Sequence, residues 1–127
     1  MNVADEQQVQ VIDRQTGKTT ARWPLPQPLA GNFPLHLDVA QRMLFIGVRK
    51  PAANACVLVL DADTGDELAR LSCGLAADMD DLCFDSKRQR LYGDCFGQLA
   101  CPRPSQATWQ FSGAVSSVQS YELVKCG

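Results

Sequence analysis

Apolar residues fall along this chain in short runs of about five, rich in β-branched and aromatic side chains and closed by Gly, Pro, Asn, Asp or Ser, the pattern of strands and turns. Long helical periodicity is found nowhere. The runs predict strands at Gln8 to Asp13, Thr19 to Trp23, Pro34 to Asp38, Met43 to Val48, Cys56 to Asp61, Glu67 to Ser72, Asp81 to Asp85 and Arg90 to Tyr92. Further on, Gln98 to Gly113 is rich in Pro, Ser, Gly and Gln and reads as a loop or disordered insertion, with Ser117 to Glu122 as the next candidate strand.

Part of this pattern repeats. Val9-Gln10-Val11-Ile12-Asp13-Arg14-Gln15-Thr16-Gly17 lines up with Val57-Leu58-Val59-Leu60-Asp61-Ala62-Asp63-Thr64-Gly65 at an offset of 57 − 9 = 48 residues, and both Val, the Asp, the Thr and the Gly are shared. Phe33 to Asp38 and Arg42 to Phe45 match Asp80 to Asp85 and Gln89 to Tyr92 at 85 − 38 = 47. One unit therefore recurs. Its Asp-x-x-Thr-Gly segment is turn chemistry: the Asp and Thr oxygens can accept local N–H groups, and Gly takes positive φ without a Cβ clash. After Asp38 and Asp85, four polar-leaning residues make connections of hairpin length.

A four-stranded antiparallel unit of roughly 40 to 50 residues, repeated with such a turn, is the sequence form of a β-propeller blade. The expected fold class is all-β, a partial β-propeller of about two four-stranded antiparallel blades in an incomplete ring. A half blade is expected at 1–26, a full blade at 33–73 and the start of another at 80–96, within a propeller region 1–96. Residues 97–127 form a divergent loop with a final strand at 117–122. The third strand of the last blade is due near 57 + 48 = 105, so placing it at Ser117 implies a delay.

Several segments carry a family resemblance. These are Asn2-Val3-Ala4-Asp5 with Val9, Ile12, Asp13 and Arg14; Asn32-Phe33-Pro34-Leu35; Leu44 to Ala52; Val57 to Gly65; and Asp80-Asp81-Leu82. Over residues 2 to 96 the chain resembles the bacterial YVTN-type, YncE-like β-propeller repeat proteins. The resemblance implies a ring of about seven blades, commonly exported to the periplasm or cell surface, of which this chain would be a C-terminal fragment or the product of a decayed gene. Met1 to Glu6 carry neither the basic nor the apolar region of a signal peptide, so no export address is expected from this sequence.

Charge and composition narrow the partners. A net charge of −2 with interspersed signs provides no basic face for nucleic acid or anionic lipid, and the longest apolar run, Ala55 to Leu60, is far short of the ~18 residues of a span. Neither nucleic acid nor membrane is expected as a partner. None of the six cysteines is spaced C-x-x-C, so they read as small buried or reduced thiols, with disulfides as the alternative in an oxidising compartment. In a partial ring the end blades are uncovered, and Val9, Val11, Ile12 and Trp23 are expected to leave an apolar face open to self-association.

Candidate chemistry is sparse. His36 and Cys83 stand at equivalent positions, 83 − 36 = 47, as soft ligands or as packing between blades. Asp78, Asp80 and Asp81 precede a first strand, which the resemblance places at the channel mouth; they could bind calcium or transfer protons, or simply cap backbone N–H groups. Arg49-Lys50-Pro51-Ala52 reads as a basic turn, and Trp109 and Phe111 as cover for an open blade face. No G-x-S-x-G or phosphate loop occurs, and no cofactor is expected. The expected function is a non-catalytic binding scaffold, with Asp78, Asp80, Asp81 and His36 as ligand-contacting residues. The alternatives are a propeller-type enzyme, calcium-dependent lactonase or quinoprotein-like dehydrogenase, or a product without function.

Overall fold

The computed structural model describes residues 2–3, 6–72, 79–95 and 105–110. Among the described residues ten strands run in chain order: β1 Asn2–Val3, β2 Gln8–Ile12, β3 Thr19–Pro24, β4 Ala30–Asp38, β5 Met43–Lys50, β6 Cys56–Asp61, β7 Glu67–Ser72, β8 Met79–Asp85, β9 Arg90–Cys95 and β10 Ser105–Gln110. The fold is all-β, with a single 3-10 turn, Ala52–Asn54, among the described residues. Neighbouring strands pair antiparallel into three sheets, β1-β2-β3, β4-β5-β6-β7 and β8-β9-β10. The middle sheet is the complete unit expected from the repeat.

Alternation along β5 and β6 explains how the sheets stack. Successive side chains point to opposite faces, so a strand buried on both faces reads as a continuous apolar run. Met43, Phe45, Val57 and Val59 face one way and pack with Leu71, Met79, Leu82, Phe84 and Leu91, which joins the middle sheet to the third. Leu44, Ile46, Val48, Cys56, Leu58 and Leu60 face the other way and meet Val9, Leu25 and Leu29, with Trp23 and Leu35 at the margin. The middle sheet is thus the filling of a three-layer stack. Each such side chain, fully buried, is worth about 1.5–3 kcal/mol in transfer terms.

Repetition extends to the details of the backbone. Sheet register shifts between Val11 and Ile12 and again between Val59 and Leu60, 48 residues on. The first strands of the two later sheets carry matching irregularities, between Asn32 and Leu35 in β4 and between Met79 and Asp81 in β8. β4 and β8 lie side by side, and β1 lies beside β4.

Three expectations are corrected. The stretch assigned to a loop, 98–113, contains β10, which pairs with β9 from Ser105 opposite Cys95 to Gln110 opposite Arg90. A strand beginning at 105 is the arithmetic result of the repeat; composition obscured it, because Gln106, Thr108 and Gln110 replace the apolar alternation of β6. The candidate strand 117–122 lies outside the described residues. Secondly, Val9 is buried and Trp23 half-buried against the middle sheet, so neither opens an apolar face. The outward face of the first sheet carries Gln8, Gln10 and Arg22 with Ile12, because Gln10 pairs with Arg22 while Val9 pairs with Trp23. Thirdly, Arg49 and Lys50 end a strand rather than form a turn.

Candidate functional site

Both turn types are built by an aspartate at the end of a strand. Asp13 Oδ1 accepts the N–H groups of Gln15 (3.0 Å) and Thr16 (2.6 Å) and the Thr16 hydroxyl (2.7 Å). Asp61 Oδ1 accepts the N–H groups of Asp63 (2.8 Å) and Thr64 (3.0 Å). Gly17 and Gly65 then donate back to the carbonyls of Asp13 and Asp61, with φ of +68° and +81°. The first-strand hairpins use the same device, with Asp38 accepting from Ala40 (3.0 Å) and Asp85 from Lys87 (3.0 Å) and Arg88 (3.1 Å). Arg42 and Gln89 close these hairpins in the left-handed region at φ +57° and +53°.

These carboxylates are engaged by their own backbone, which bears on what chemistry they can offer. The hydroxyl of Thr16 and then its N–H hold the Asp13 carboxyl below its ordinary range. The Arg88 guanidinium, at 2.8 Å, does the same for Asp85 and is itself raised by that bond. At Asp38 the corresponding position is Gln41 (41 + 47 = 88), whose amide reaches Gln89 of the neighbouring hairpin at 2.7 Å. Among the described residues, one Asp38 oxygen is buried without a hydrogen-bond partner.

Of the residues singled out for function, Asp80 and Asp81 lie at the far end of β8 from these hairpins. Asp80 and Asp81 lie within β8 rather than before it, since that strand begins at Met79. Asp80 occupies the register irregularity, is exposed, and pairs with Arg49 of β5 at 3.4 Å. Asp81 is exposed, and its Oδ1 accepts the N–H of Leu82 at 2.7 Å. Asp78 lies outside the described residues. The acidic segment and the supposed basic turn, two separate features in sequence, are thus joined across two sheets.

His36 and Cys83 do hold equivalent places, opposite Phe45 in β5 and Tyr92 in β9 respectively. The His36 ring is half-buried, tilted at 46° to Phe45 with centroids 6.5 Å apart, and Cys83 is exposed. Cys83 carries a free thiol, and Cys56 is packed as a small side chain between sheets. Among the described residues no three His, Cys, Asp or Glu side chains converge. Trp109 stands opposite Leu91 in the β10–β9 register, while Phe111 lies outside the described residues.

Sequence reasoning missed the Arg49 to Asp80 pair and the exposed apolar residues of the first strand, Phe33, Leu37 and the adjoining Val39. Both depend on which sheet lies beside which. For β10 a signal existed, since Gly113 follows Gly65 by 113 − 65 = 48, as Gly65 follows Gly17 by 65 − 17 = 48. Comparison with protein-family models, with curated proteins and with solved structures finds no match to this chain.

Proposed function

We propose that the chain is an arc of a β-propeller of the YVTN-repeat type and works as a non-catalytic interaction scaffold. The arc is supported by three sheets that repeat in register and pack face to face, with the first strands β4 and β8 adjacent. The observation that carries the scaffold reading is the use made of the polar residues at the first-strand ends. Asp80 is matched to Arg49, Asp81 bonds to the next backbone N–H, and half-exposed Phe33 stands in the place equivalent to Asp80. A charge pair and an exposed aromatic at equivalent places on neighbouring first strands are suited to holding the surface of another molecule. Catalysis or calcium binding at the same end would call for several uncommitted carboxylates.

Calorimetry with calcium chloride tests this. No saturable heat is expected from the chain. Saturable micromolar binding that disappears in the Asp80→Asn, Asp81→Asn double variant would transfer the protein to the calcium-dependent class.

A further inference from the structure

Two hairpins built on one plan meet across the seam between the middle and third sheets, and they differ in how their aspartates are satisfied. In the β8–β9 hairpin, Asp85 Oδ1 accepts the N–H groups of Lys87 and Arg88, and Oδ2 takes the Arg88 guanidinium at 2.8 Å. In the β4–β5 hairpin, Asp38 Oδ1 accepts the Ala40 N–H, and Oδ2 has no hydrogen-bond partner among the described residues. Asp38 is 7% exposed. It stands opposite Met43, on the face of the middle sheet that the third sheet covers. Arg42 is committed to Asp63 and Arg88 to Asp85, so no cation among the described residues reaches Asp38. A buried acceptor left unmatched costs the full desolvation of that group, and for a carboxylate this is large.

The side chain placed to relieve that cost is turned elsewhere. Gln41 holds the place of Arg88 (41 + 47 = 88), from which a side chain three residues on reaches the carboxylate of its own hairpin. Its amide instead donates to Gln89 Oε1 across the seam at 2.7 Å, and Gln89 donates in turn to the Ser86 carbonyl at 2.7 Å. We propose that Gln41 is a two-position latch that gives the seam between these hairpins a closed and an opened state. In the closed state, seen in the structure, Gln41 is bonded to Gln89 and the third sheet lies over Asp38. In the opened state the β8–β9 hairpin lifts, Asp38 regains water, and Gln41 swings back to Asp38 Oδ2 as Arg88 holds Asp85. The Phe45 to Phe84 stack, with centroids 4.9 Å apart, favours closure, and the buried carboxylate opposes it. Arg49 and Asp80 join the same two sheets near the start of β8, so a tether remains while the hairpins part. Two packings held in opposition form an element whose populations shift toward whichever state a partner binds better.

Relaxation-dispersion NMR on the full chain tests the latch, read at the side-chain amides of Gln41 and Gln89 and at the isotope-labelled rings of Phe45 and Phe84. All of these groups are expected to share one exchange process. Gln41→Arg gives this hairpin the arrangement of Asp85 with Arg88 and is expected to raise the minor-state population about tenfold, read at Gln89 and the two rings. Asp38→Asn removes the buried charge and is expected to lower that population about threefold, which keeps the test decisive if the first variant fails to fold. Absence of exchange at Gln41, exchange there that the rings do not share, or a shift in the same direction for both variants would each overturn the proposal.

Discussion

Asp13, Asp38, Asp61 and Asp85 each end a strand by accepting the N–H two residues on, so a short acidic side chain stands in for the next ladder partner. At Asp13 the bonds favour the ionised form, which places the folded pKa below the unfolded one. The associated stabilisation is present above the unfolded pKa and is lost as pH falls through the folded value. Removing the Thr16 hydroxyl bond, with Thr16→Val, is expected to raise the Asp13 titration midpoint toward the ordinary aspartate value of about 3.9. Carboxyl-detected NMR titration reads this directly, and an unmoved midpoint would show that the hydroxyl bond contributes nothing. This role was legible from residue types alone, because an Asx turn involves only neighbours in the chain.

Two copies of one turn meet different surroundings at the scale of elements. Gly17 and Gly65 both have positive φ, which costs an L-residue about 1–2 kcal/mol. A Cβ at Gly17 would meet nothing within 4 Å, while one at Gly65 would fall inside the ring of Trp23, which the first sheet lays against the turn. Gly17→Ala is therefore expected to cost about 1–2 kcal/mol, and Gly65→Ala about 2–5 kcal/mol once crowding is added. Urea denaturation of the two variants checks the difference, and equal losses would contradict the stacking of Trp23. The Thr-Gly motif announced both turns, but identical motifs conceal unequal roles because the distinguishing neighbour arrives from another sheet. Strand β10 shows the converse. Its position was fixed by the repeat, while its polar alternation made it look like a loop.

For the whole molecule, the middle sheet is apolar on both faces, while polar residues stand on the far faces of its neighbours. Gln10 stands where β6 has Leu58, and on the third sheet Arg90 and Tyr92 stand where β5 has Met43 and Phe45. Stacked repeats need polar outer faces to remain soluble, since an apolar face left open seeks another sheet. Gln10→Leu, which restores the middle-sheet residue, is expected to produce stronger concentration-dependent association than the parent chain shows. Sedimentation velocity over a hundredfold range of concentration checks this, and association of the parent to the same extent would refute the capping role.

Strand content, the repeat of 47 to 48 residues and the Asp-built turns were determined by the sequence alone, because alternation and turn chemistry act between residues a few places apart. Which face of each sheet would be covered was decided only by the tertiary structure. The pairing of Arg49 with Asp80, the seat of Trp23 on Gly65, and the exposure of Leu37 where Phe84 is buried all arise between sheets. Such contacts join residues tens of positions apart, and equivalent sequence positions acquire different surroundings because different sheets lie against them.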